Sequence, residues 1–172
     1  MNLKFALIAP LSIALAAPAV AASAPTDPQI AHIAYTAGVI DIAAGKQALA
    51  KSHNKAVRGF AEEMVRDHKA VNDKALALVK KLKVTPQDNP TSQALNKGAK
   101  AELAKLAKLN GAAFDRAYVD NEVAYHKTVN GALASTLIPN AHNAELKSLL
   151  ETGLTLFKEH QAHAEQIAKE LK

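Results

Sequence analysis

The sequence contains no cysteine and no tryptophan, and only 4% of its 172 residues are aromatic. Without thiols it can form no disulfide, no thiolate metal site, no iron–sulfur cluster and no haem link through Cys-x-x-Cys-His, and it can carry no lipoprotein anchor. The scarcity of aromatic and β-branched residues argues against strands. Ala, Leu, Lys and Glu are plentiful instead, and they lose little side-chain freedom in a helix. No Gly-rich phosphate loop and no Gly-x-Ser-x-Gly nucleophile turn occurs. Beyond the N-terminus no apolar run approaches the roughly 20 residues needed to span a bilayer.

The N-terminus is the exception. Lys4 precedes an apolar run from Phe5 to Leu15, and a small-residue tract holds Ala19-Val20-Ala21, the order of a secretory signal. Pro10 and Pro18 interrupt the run and speak against a membrane anchor. Cleavage is expected after Ala21 or Ala22. Residues 1–22 are then removed, and residues 23–172 form one domain, periplasmic or secreted. The formal net charge is +5, but Lys and Glu alternate along the chain and build no basic block. Such a pattern marks solvated helix faces, and no nucleic-acid partner is expected.

Turn signals divide the remainder into a predicted all-α, four-helix up-down bundle, with a short extra helix between helices two and three. Asp27 suits an N-cap and Pro28 the first helical position, so helix one is predicted from Pro28 to Lys51. Ser52-His53-Asn54 forms a tight connection, and Asn54 caps helix two, predicted from Lys55 to Lys83. Pro86, Asp88-Asn89 and Pro90 mark a loop. The short helix, from Ser92 to Leu109, ends at Asn110-Gly111. Helix three is predicted from Ala112 to Thr136 and, after Pro139-Asn140, helix four from Ala141 to Leu171.

Within each segment the buried-type residues recur by alternating steps of four and three, the period of a seam that faces a partner helix. Helix two carries Val57, Ala61, Met64, His68, Val71, Ala75, Leu78 and Leu82. Helix four carries Leu146, Leu150, Gly153, Phe157, His160, Ala164, Ile167 and Leu171. Helix one gives Ile30, Ala34, Ala37, Asp41, Ala44 and Ala48, and helix three gives Asp115, Val119, Glu122, His126, Val129 and Leu133. Each seam has a polar exception near its middle: Asp41, His68, Glu122 with His126, and His160. A buried charge is costly unless paired, and a buried imidazole needs partners for both nitrogens. One such residue on every seam points to a shared layer.

Counted from the tight turn at His53, Asp41 and His68 differ in height by about 4.5 Å and are effectively level. Counted from Pro139, His126 and His160 differ by about 12 Å for a tight loop. They come closer if helix four starts late, near Asn143, or if Glu122 bridges the gap. Two readings stand. Neutral imidazoles and carboxylates from separate helices can bind one transition metal ion, and without thiolates that ion is zinc, iron, copper, manganese or nickel. Alternatively, each His is hydrogen-bonded to Asp41, Glu122 or the backbone in a satisfied polar layer that only fixes register. The protein is then a structural or interaction bundle with an envelope protein as its partner. His53 and His142 fall at helix ends, and His32 and His163 lie off the strict seams. Met64 could ligate haem but suits the core.

The stretches Ile40-Asp41-Ile42-Ala43-Ala44-Gly45-Lys46 and Met64-Val65-Arg66-Asp67-His68, the block from Gly111 to Val119, and Lys158-Glu159-His160 resemble domain of unknown function family 4142. The resemblance extends from about Gln29 to Leu171. It implies an exported bacterial protein, periplasmic or outer-membrane, built as a ferritin-like helical bundle with no assigned activity. In that family the positions matching His68, His126 and His160 are usually His, whereas Asp41 stands where the longer Glu is more usual. The likeness to ferritins stops at architecture. Di-iron bundles use Glu-x-x-His on two helices, and that motif occurs nowhere in this sequence. Ferroxidase or iron-storage activity is therefore not expected. The resemblance and the seams together lead to a non-enzymatic exported protein that handles metal or serves envelope stress.

Overall fold

The structure, a computed structural model, describes residues 23–171; the expected signal segment, residues 1–22, lies outside them. The described residues fold as an all-α bundle with no strand among them. α1 spans Asp27–Lys51, α2 Lys55–Leu82, α3 Pro90–Ala107 and α4 Gly111–Ala132. α4 runs on through a π turn, Leu133–Leu137, into the short α5, Ile138–Asn140, and α6 spans Ala144–Glu170. α1 packs mainly on α2 and α4 mainly on α6, while contacts of α2 with α6 and of α1 with α4 close the core. α3 lies chiefly against α1. No helix among the described residues is long and apolar enough to cross a membrane.

Capping chemistry sets the boundaries. Asn54 opens α2 by accepting from the backbone N–H groups of Ala56 and Val57 at 2.9 and 3.2 Å. Asn89 does the same for Thr91 and Ser92, both at 3.1 Å, so α3 starts at Pro90, earlier than the sequence predicts. The sequence predicts Asp27 as the cap of α1, but Thr26 takes that position. The Asp27 carboxylate instead crosses to α6, accepting from the His142 and Asn143 N–H groups at 2.9 and 2.8 Å. Asn143 caps α6, and helix four therefore begins at Ala144 and not at Ala141. Gly111 opens α4 with a φ of 55°, a left-handed backbone that glycine adopts without a steric penalty. Helical backbone also continues past the predicted break at Pro139. The Ile138 N–H reaches back to the Leu133 carbonyl, and Pro139 has no N–H to add to the displaced ladder.

α1 and α2 run antiparallel in close contact. A side chain at Gly38 would overlap the Asn72 amide, and a Cβ at Gly45 would meet the Ala61 carbonyl oxygen at 3.0 Å. Two apolar clusters fill the bundle. One gathers Phe60, Met64, Phe114 and Tyr118 with Leu106 of α3. The other gathers Ile30, Leu133, Leu146, Leu150 and Phe157. The predicted seam of α6 is buried from Leu146 to Ile167. That of α2 is buried from Val57 to His68 and only half-buried beyond, from Val71 to Leu82.

Candidate metal centre

Between the two clusters lies a polar layer drawn from four helices. Asp41 of α1, His68 of α2, Glu122 and His126 of α4, and His160 of α6 are each at most 2% exposed. The structure brings all five sequence-predicted residues together. Asp41 and His68 are level, with Asp41 Oδ2 3.4 Å from His68 Nε2. The offset between His126 and His160 largely vanishes, because helical backbone continues to Asn140 and α6 starts only at Ala144. Counted from those two residues, the heights differ by about 3 Å.

The three imidazoles form a near-equilateral triangle, with ring centres 5.4 Å apart for His68 and His160, 5.6 Å for His126 and His160, and 5.7 Å for His68 and His126. One nitrogen of each lies within 4.8 Å of the other two, and ligand atoms of Asp41, Glu122 and His126 form a second group of that size. Three imidazoles bound to one zinc ion through nitrogens about 2.0–2.1 Å away hold their ring centres roughly 5–5.5 Å apart. The ring centres thus lie near that spacing, and binding would draw the nitrogens together from within 4.8 Å to about 3.3 Å of one another.

Hydrogen bonds fix which nitrogens are free. His126 Nδ1 donates to the Glu122 carbonyl at 3.0 Å, which leaves the Nε2 lone pair without a hydrogen-bond partner in the protein. His160 Nε2 donates to Asp67 Oδ2 at 3.1 Å, and its Nδ1 is the unpartnered atom. Neither nitrogen of His68 is hydrogen-bonded. Its ring is held by stacking on Phe157, with centroids 4.5 Å apart and planes inclined by 13°. These protonation patterns follow from the partners, since a neutral imidazole carries one donor and one acceptor nitrogen.

Burial governs the charges. It pushes His126 down to about 4, and lowers His68 and His160 too, an effect that Asp67 partly offsets at His160. It raises Glu122 to about 8 and raises Asp41 well above the usual carboxylate range, where the neighbouring Glu122 adds to the effect. At neutral pH the imidazoles are therefore neutral, with lone pairs available, and the buried Asp41 and Glu122 carboxyls keep their protons. The 3.4 Å contact between Asp41 and His68 is thus one of two neutral groups, not an ion pair. Tyr118 Oη, buried without a partner, is pushed up by burial and then by Glu122 and Asp41.

One residue that supports this layer was not among those predicted. Asp67 lies off the α2 seam, beside His68, and its carboxylate orients His160 so that Nδ1 remains a free acceptor. Arg66 donates to Asp67 at 2.7 and 2.9 Å and holds it below the usual carboxylate range. The adjacent Asp67-His68 pair carried a signal: two polar residues side by side on a helix serve two neighbouring faces. His53 and His142 are exposed and His32 is half-buried. Met64 packs in the aromatic cluster.

No curated protein and no solved structure matches the chain. The family model described as Domain of unknown function (DUF4142) matches residues 13–167, nearly the whole sequence and every residue of the polar layer, and the chain belongs to that family.

Proposed function

We propose that this is an exported protein that holds one divalent first-row transition ion in its core. His68, His126 and His160 supply nitrogen, and the Asp41–Glu122 pair supplies carboxylate once a proton leaves it. The observation that carries this reading is that the free nitrogens belong to one compact triangle of buried rings. Buried polar groups are almost always hydrogen-bonded, and a cluster of lone pairs without partners in the protein is costly unless a cation or water takes them up. Three neutral imidazoles with an oxygen donor suit zinc, copper or iron, while manganese favours oxygen-rich sites. The bound ion supplies positive charge that neutralises the ionised carboxylate. Asp67, behind His160, fixes the ring tautomer as an outer carboxylate. The N-terminal signal pattern supports a role in metal handling in the cell envelope or outside the cell.

One observation favours a second reading. His126 and His160 each have one nitrogen already bonded within the protein, as a register-setting polar layer completed by water would have. The two readings separate in one experiment. Untagged protein, stripped with chelator, is exposed in turn to zinc, copper, iron and manganese and then gel-filtered. Retention of one ion per chain, lost in His160→Leu with helical circular dichroism intact, is the expected result. Substoichiometric retention of all four metals contradicts the metal-holding reading.

A further inference from the structure

We infer that a second, outer cation site on the α2–α6 flank captures the metal and passes it inward through His160, an inference that rests on the metal-holding reading. Glu63 and Asp67 are one turn apart on α2 and share a face. His160 and His163 face them from α6: His163 Nδ1 is 2.7 Å from Glu63 Oε2, and His160 Nε2 is 3.1 Å from Asp67 Oδ2. Ligand atoms of Glu63, Asp67 and His160 lie within 4.8 Å of one another. His160 thus belongs to two ligand groups, this one and the inner triangle with His68 and His126. Its Nε2 faces the outer carboxylate, while its Nδ1 has no partner in the protein.

Exposure rises outward along this set, from 0% at His160 through 17% at Asp67 and 26% at Glu63 to 44% at His163. The donors change in the same direction. Carboxylates and a half-exposed imidazole accept a dication that keeps part of its water, whereas the inner triangle offers three nitrogens in the buried core. Binding at His160 Nε2 moves the ring proton to Nδ1, and inward transfer to Nδ1 returns it to Nε2, so the ring loses no net proton. Arg66 now occupies Asp67. Its side chain is 68% exposed, and such a surface pair contributes little to stability. An incoming dication competes with Arg66 for the same carboxylate, so Arg66 restrains loading.

Cobalt(II) is the probe, mixed with metal-free protein in a stopped-flow instrument, because its visible absorption reports arrival at a nitrogen-rich tetrahedral site. The double variant Glu63→Gln/His163→Gln is expected to slow loading by about tenfold, the lower range of electrostatic steering, with the final absorbance unchanged. Arg66→Gln is expected to accelerate it. Glu102→Gln, the same charge change on α3, leaves the rate as in the parent. A double variant that loads within about twofold of the parent, or a Glu102→Gln that slows it equally, overturns the route and leaves the inner site standing. A parent chain that develops no cobalt band overturns the metal-holding reading and the route together. Circular dichroism of each variant checks that the fold is retained.

Discussion

The aromatic cluster around Phe60 and the polar layer beside it are built on the same helical seams but complete themselves differently. Phe60, Met64, Phe114 and Tyr118 are all fully buried, and their apolar atoms need nothing beyond each other. Phe114 and Tyr118 lie with ring planes only 3° apart. One turn along the same helices, His68 and Glu122 are equally buried, yet His68 Nδ1 and Nε2 and Glu122 Oε2 find no hydrogen-bond partner in the protein. Burial alone is sufficient for the first region, Tyr118 Oη aside. For the second, burial sets a requirement that only a further group can meet. The aromatic cluster therefore supplies stability, and on the proposed reading the layer gives some of it up to hold a metal ion.

The sharpest way to break that division is to exchange the damage. Phe60→Ala is expected to destabilise the protein by about 3–5 kcal/mol in urea unfolding, the usual cost of emptying an aromatic core position. Metal capacity at saturation should survive wherever the variant still folds. His126→Leu is expected to do the reverse. Metal affinity measured by competition with a chelator falls by more than about a hundredfold, since the loss should exceed that from an outer-shell change. Metal-free stability holds or rises, because apolar replacement of a buried polar group is often neutral or favourable. Equal destabilisation by both variants would erase the distinction. Asp67→Asn keeps the shape but weakens the orienting bond to His160, and is expected to cost about 10–100-fold in affinity.

The smallest effect is in pH dependence. Glu122, raised from 4.5 to about 8, and Asp41, also raised, keep protons in the folded state that the unfolded chain sheds. Their contribution is fully present below the unfolded values and is lost as pH rises toward 8. The histidines act oppositely. His126 falls from 6.5 to about 4, so below 6.5 the unfolded chain takes up protons that the folded layer refuses, and stability declines as pH falls toward 4. Metal-free protein should thus be most stable near pH ~6.5, read from urea midpoints between pH ~4 and ~9. Metal affinity should climb from pH ~6 to ~8 as the carboxylates ionise. A metal-free optimum above pH ~8 would contradict the protonated state of Asp41 and Glu122 in the folded protein.

Much of this was legible in the sequence where a single helix determines the outcome. The α6 seam from Leu146 to Ile167 is buried residue by residue as its period predicts, because a long helix carries its phase without error. Asp41 and His68 could be levelled because Ser52-His53-Asn54 is a tight turn of unambiguous length. His126 and His160 could not, since their meeting depends on the Asn143 cap and on helical backbone that passes through a π turn and continues beyond Pro139. Asp67 escaped because a narrow seam counts only two positions per heptad, whereas a helix packed on several neighbours buries a wider stripe. Phe60, Phe114 and Tyr118 lie off the counted seams for the same reason.

The most direct measurement is X-ray absorption on zinc-loaded, untagged protein after gel filtration. Retained zinc with three imidazole nitrogens and a carboxylate oxygen at about 2.0–2.2 Å is the expected result. Zinc surrounded by oxygen alone, or no zinc retained after filtration, would contradict it.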